Sequence, residues 1–137
     1  MNSQQLWTFF PIGYMLTVTL EMPFFLLGLT RKHSLKRRFL AGLWLNACSY
    51  PIVVLVLPAI IDTVNHRVLY ITIAETFAPL LECLLFALLF HRHKELSRRQ
   101  QAQDFAAIIA ANLFSFLFGG WFLYTSFGKY LLSLFFK

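Results

Sequence analysis

Leu81-Glu82-Cys83-Leu84-Leu85-Phe86-Ala87-Leu88-Leu89-Phe90-His91-Arg92-His93 reads as an apolar helix with a carboxylate inside it and a basic cluster at its end. An earlier stretch has the same design: Leu20-Glu21-Met22-Pro23-Phe24-Phe25-Leu26-Leu27-Gly28-Leu29-Thr30-Arg31-Lys32. Leu20 and Leu81, Glu21 and Glu82, Phe25 and Phe86, Leu27 and Leu88, and Arg31 and Arg92 recur in step. In both copies the arginine lies ten residues past the glutamate. At about 1.5 Å per residue that is roughly 15 Å, half of a hydrocarbon core about 30 Å thick. The spacing therefore predicts a glutamate near the bilayer midplane in each stretch. At that depth an ionisable group is costly and is normally enclosed by protein or by a wet cavity.

Composition agrees with a membrane setting. Of 137 residues 58% are apolar and only 13% charged, about half the charged share of roughly 25% in soluble domains. The net charge of +6 is concentrated in short segments between apolar spans, as the positive-inside rule requires, and not over a folded basic surface that would engage nucleic acid. Cys48 and Cys83 fall within apolar spans and no CxxC pair occurs, so no structural disulfide is expected. The first residues carry no Lys or Arg and the first span contains a Glu, which predicts a retained anchor and not a cleaved signal peptide.

Four spans follow, at about 6–30, 39–61, 68–90 and 104–124, with a tail over 125–137 read as an interfacial helix. They form one all-helical, polytopic transmembrane domain. Pro23, Pro51, Pro58 and Pro79 interrupt the spans and predict kinks, because proline lacks the N–H and crowds the carbonyl four residues back. Gly119-Gly120 is expected to end or bend the last span, Asp104 to cap its start, and the alanines from Ala106 to Ala111 to give it a close-packing face. Segments 31–38 and 91–103 are both strongly basic and lie on one side of this plan. That places them in the cytoplasm, with both termini outside, in a cell inner (plasma) membrane. The basic segments are also positioned to meet anionic lipid head groups.

Asn46-x-x-Ser49 in the second span matches Asn112-x-x-Ser115 in the fourth. With the matched glutamates this predicts a tandem duplication of a two-span hairpin, the copies related by an axis along the membrane normal. Such an axis collects Glu21, Glu82, Asn46 and Asn112 into one midplane cluster. Tyr14, Thr17, Ser49, Tyr50 and Ser115 are its expected polar support, Pro23, Pro51 and Pro79 its hinges, and Glu75 a relay towards the outer face. Two acids held together away from water compete for a proton. This constellation predicts a small transporter or channel for a proton, a cation or a small cationic solute. The alternative is a non-catalytic accessory or assembly subunit, whose glutamates meet a Lys or Arg of a partner membrane protein; a homo-oligomer is the related expectation. HExxH, GxSxG and Gly-rich phosphate loops are all missing, which points away from an enzyme. His33, His66, His91 and His93 sit at or beyond the membrane edge, so neither haem nor another cofactor or metal is expected.

Overall fold

A computed structural model describes residues 3–63, 65–91 and 96–125. Helix α1 is Ser3–Gly28. Helix α2, Leu35–Pro51, continues through a π-helical turn, Ile52–Val56, into the short α3, Leu57–Ile60. Helix α4, Arg67–Phe86, runs into a second π-helical turn, Ala87–His91. Helix α5 is Arg98–Tyr124. The chain is thus all-helical over the described residues. Four helices, Phe10–Gly28, Leu35–Ile60, Arg67–Phe90 and Arg98–Phe122, are long and apolar enough to cross a membrane. The 125–137 tail expected at the interface lies outside the described residues except for Thr125, as do residues 92–95 of the second basic segment.

The helices form a ring in which α1 packs against α2 and α5, and α4 packs against the same two. Helices α1 and α4, which carry the matched glutamates, therefore stand on one diagonal. Polarity is inverted relative to a soluble bundle: Leu27, Leu80, Leu84, Leu113 and Leu117 face outwards, while Glu21, Glu82, Asp104 and Asn46 are buried. Thr19, Thr72 and Thr76 are exposed, yet each hydroxyl donates to the carbonyl four residues back, at 2.7, 2.9 and 2.7 Å. Hydroxyls facing hydrocarbon have no water to turn to and are satisfied by their own helix.

Small residues set the closest approach. A Cβ added at Gly28 would lie 2.8 Å from the Ala107 Cβ, so α1 and α5 touch almost backbone to backbone. At Gly42 an added Cβ would meet Phe25 and Met22 at 3.2–3.3 Å. The expected small face on α5 comes down to Ala107 and Ala111, while Ala106 points outwards. We expect Gly28→Val to push α1 and α5 apart and cost about 1–3 kcal/mol, read as a lowered unfolding midpoint in detergent.

Two expectations about helix ends are corrected. Helix α5 starts at Arg98 and not near Asp104; its cap is Ser97, in a capping box with Gln100. Asp104 lies in the second turn, fully buried. Nor do Gly119 and Gly120 end the helix, which continues through both to Tyr124 without positive φ. The prolines take several settings. Pro11 and Pro23 lie inside the unbroken α1, and Pro79 inside α4. Pro51 stands where α2 gives way to the π-helical turn, and Pro58 follows that turn. Pro58 has no N–H to donate, and the turn shifts the register just before it, with the Leu57 N–H reaching the Ile52 carbonyl. Across the bundle, the Tyr70 hydroxyl donates to the Val53 carbonyl at 3.1 Å.

Candidate functional site: a carboxylate layer beneath a one-sided cleft

Halfway along the bundle the two glutamates are served in the same manner. Asn46 Nδ2 donates to Glu21 Oε2 at 2.8 Å and Ser115 Oγ donates to Glu21 Oε1 at 2.6 Å. Asn112 Nδ2 donates to Glu82 Oε2 at 2.8 Å and Ser49 Oγ donates to Glu82 Oε1 at 2.5 Å. Each carboxylate takes its amide from the neighbouring helix of its own hairpin and its hydroxyl from the other hairpin. The two side chains of one Asn-x-x-Ser motif thus diverge to different glutamates. Both amides are anchored by a second bond one turn back in their own helix, Asn46 to the Gly42 carbonyl at 3.0 Å and Asn112 to the Ile108 carbonyl at 3.1 Å. Ser115 also lies 3.0 Å from the Asn112 carbonyl. Glu21 and Glu82 are each 1% exposed.

The partners differ in kind. An asparagine NH2 group only donates, whereas a serine hydroxyl donates or accepts according to its rotation. One oxygen of each carboxyl therefore meets a fixed donor, and the other meets a group that suits either an ionised carboxylate or a protonated acid.

The two ends of the bundle are unlike. A cavity of about 150 Å³ is bounded by Glu21, Glu82, Asn46, Asn112, Ser49 and Ser115, and beyond them by Thr17, Tyr50, Val53, Ala74, Glu75, Ala78 and Phe116. All of these lie level with the glutamates or nearer the end carrying residues 61–66. On the other side, towards the basic segments, the interior is a packed apolar plug of Phe25, Leu29, Ala41, Leu45, Phe86, Ala107, Ile108 and Ala111. Phe25 and Phe86 each stand one turn below their glutamate and are 1% and 0% exposed. The carboxylates form the floor of a cleft that lies to one side of them, with the apolar plug on the other.

Beneath the plug is a second polar cluster that the sequence alone does not announce. Asp104 Oδ1 accepts the Thr30 backbone N–H at 2.7 Å, and Oδ2 lies 3.1 Å from His33 Nε2 and 3.4 Å from the Thr30 hydroxyl. His33 is 2% exposed and packs edge-on against Phe86 and Phe90. Arg38 Nε donates to the His33 carbonyl and Nη1 to the Leu26 carbonyl, both at 2.9 Å, and Gln103 Nε2 donates to the Gly28 carbonyl at 2.9 Å. The bonds to the Leu26 and Gly28 carbonyls satisfy groups that the C-terminus of α1 leaves without helical partners, and Arg38 puts a cation at its negative end. Arg38 is therefore turned inwards, while Arg31, Lys32, Lys36 and Arg37 remain exposed. His33 is thus enclosed by the bundle at its basic end.

Most of the expected site residues come together. Glu21, Glu82, Asn46, Asn112, Ser49 and Ser115 form the hydrogen-bonded layer; Thr17, Tyr50 and Glu75 line the cleft above it. Tyr14 stands apart. Its hydroxyl donates to the Leu43 carbonyl at 2.9 Å, and its ring backs Tyr50, with centroids 5.8 Å apart. Among the described residues, no group of three His, Cys, Asp or Glu side chains is placed to hold a metal ion.

Fold and site define an all-helical bundle of four helices long and apolar enough to cross a membrane, with a buried acid pair beside a cleft on one side of it. Comparison with known proteins finds no matching family model, no matching curated protein and no matching solved structure.

Proposed function

We propose that this chain is a small membrane transporter in which Glu21 and Glu82 bind a proton or a cation taken from the cleft. The observation that carries the reading is the pairing of each buried carboxyl with one fixed amide donor and one reversible hydroxyl. A purely structural carboxylate is served best by donors alone. Here the hydroxyl accommodates both the loaded and the unloaded acid, so the group changes charge without leaving a buried polar atom unmatched. The cleft supplies access and the Phe25–Phe86 plug prevents free passage, as exchange at a single site requires. Glu75, nearer the end carrying residues 61–66, adds a third carboxyl on the entry route. The positive-inside rule turns the open end outwards and the plug to the cytoplasm. There the exposed Arg31, Lys36 and Arg37 meet anionic head groups.

The crossed pattern of bonds also supports descent from a duplicated hairpin, since each half contributes the same residues to the same roles. The accessory-subunit alternative needs a partner's Lys or Arg at the glutamates. Both are met from within the chain, and among the described residues the room beside them is the cleft, which favours a small ligand. To test the proposal, the chain is reconstituted in liposomes and an ion or pH gradient is imposed. We expect dissipation well above that of protein-free vesicles; rates no different from empty liposomes for protons and for monovalent cations would reject it.

A further inference from the structure

The transporter reading leaves the identity of the cation open, and assigning one rests on that reading. We propose that the ion taken at Glu21 and Glu82 is a small alkylammonium of about six non-hydrogen atoms. Size comes first: an apolar cavity of about 150 Å³ is known to hold benzene, and this cavity has the same volume. The character of the wall comes second. Its floor is two carboxylates whose four hydrogen-bond partners are all neutral, and among the described residues no Lys or Arg lines it. Its sides join the hydrocarbon of Val53, Ala74 and Ala78 and the rings of Tyr50 and Phe116 to two polar groups, the Thr17 hydroxyl and the Glu75 carboxyl. A hard metal ion needs a shell of oxygens on all sides, and the Val53, Ala74, Ala78 and Phe116 part of the wall gives it none in exchange for lost hydration. An alkylammonium presents what each part of the wall accepts: N–H donors and positive charge to the carboxylates, and methylenes to the apolar sides. The aromatic wall is also held in place, because Tyr50 packs against Phe10 at 5.3 Å and Tyr14 at 5.8 Å between centroids. A cation beside a fixed ring gains a further electrostatic attraction to its face.

The whole chain in lipid nanodiscs is titrated calorimetrically with ammonium, methyl- to octylammonium and sodium chlorides at one pH, with E21Q/E82Q as the reference for partition into lipid. We expect glutamate-dependent binding that tightens about fourfold per methylene, the equivalent of about 0.8 kcal/mol, up to about pentylammonium, and weakens beyond it. Ala78→Leu leaves both carboxylates in place and fills part of the hydrocarbon wall. It is expected to retain methylammonium and to move the optimum to a shorter chain. A flat series, an optimum unmoved by Ala78→Leu, or sodium binding as tightly as the amines would overturn this inference. If no amine binds while liposome flux still depends on the glutamates, the alkylammonium assignment fails and the transporter reading stands. If glutamate-dependent flux is absent as well, both fail.

Discussion

Replacing both acids, E21Q/E82Q, is expected to reduce gradient-driven flux in liposomes at least a hundredfold while leaving the fold intact. Glutamine is close to glutamate in shape, and the partners at this site accept it. Its carbonyl takes the bond from Asn46 or Asn112. Its NH2 group donates to Ser115 or Ser49, whose hydroxyls rotate to accept, and Ser115 then donates to the Asn112 carbonyl 3.0 Å away. Both amide donors keep their acceptor and Ser115 keeps one as well, while the buried Ser49 hydroxyl gives up its bond to Glu82, so the unfolding free energy is expected to fall by no more than about 1–2 kcal/mol. What disappears is the capacity to carry a proton or to neutralise a cation. A control with the opposite signature is Asn112→Leu. It keeps the acid but removes its fixed donor, and is expected to cost about 1–3 kcal/mol of stability. Comparable flux in E21Q/E82Q and wild type would assign the acids a purely structural part.

The second large effect is expected at the basic end. Asp104→Ala removes the acceptor shared by the Thr30 N–H, the Thr30 hydroxyl and His33, all in the interior. Burying the Thr30 N–H and hydroxyl without their acceptor is expensive, on the order of 3 kcal/mol for the two together. We expect a loss of that size in denaturant unfolding in detergent, and cleavage by added protease within residues 29–34, which Asp104 ties down. Asp104→Asn retains an acceptor for the Thr30 N–H and is expected to lose roughly half as much. A loss below about 1 kcal/mol for Asp104→Ala would mean that the segment is held by Arg38 and Gln103 alone.

Much of this architecture is legible in the chain because charge is so rare in its apolar spans. Glu21 and Glu82 stand out against leucine and phenylalanine, and ten residues to the next arginine set their depth. Asn46, Ser49, Asn112 and Ser115 are likewise found from depth and helical spacing. The pairing is not legible. Spacing places a residue along a helix and on a face, but which neighbour that face meets depends on how four helices close into a ring. Ser49 accordingly reaches Glu82 of the other hairpin and not Glu21 of its own. Asp104 is obscured for another reason. It follows Arg98, Arg99, Gln100, Gln101 and Gln103, a polar run that reads as a loop. The signal that marks it is its register with Ile108 and Asn112, four residues apart each time, which places it on the buried stripe of α5. The two π-helical turns have no comparable marker; only the flanking Pro51 and Pro58 hint at the first.

One-sided access to the carboxylate layer is the claim on which the transporter reading depends, and thiol accessibility measures it directly. With Cys48 and Cys83 replaced by alanine, Ala78→Cys places a thiol in the cleft wall and Leu45→Cys places one in the plug. In sealed vesicles, a charged, membrane-impermeant thiol reagent is predicted to label Ala78→Cys only from the face carrying residues 61–66 and to leave Leu45→Cys unmodified from either face. Labelling of Ala78→Cys from the face carrying residues 31–38, or of Leu45→Cys from any face, would contradict it.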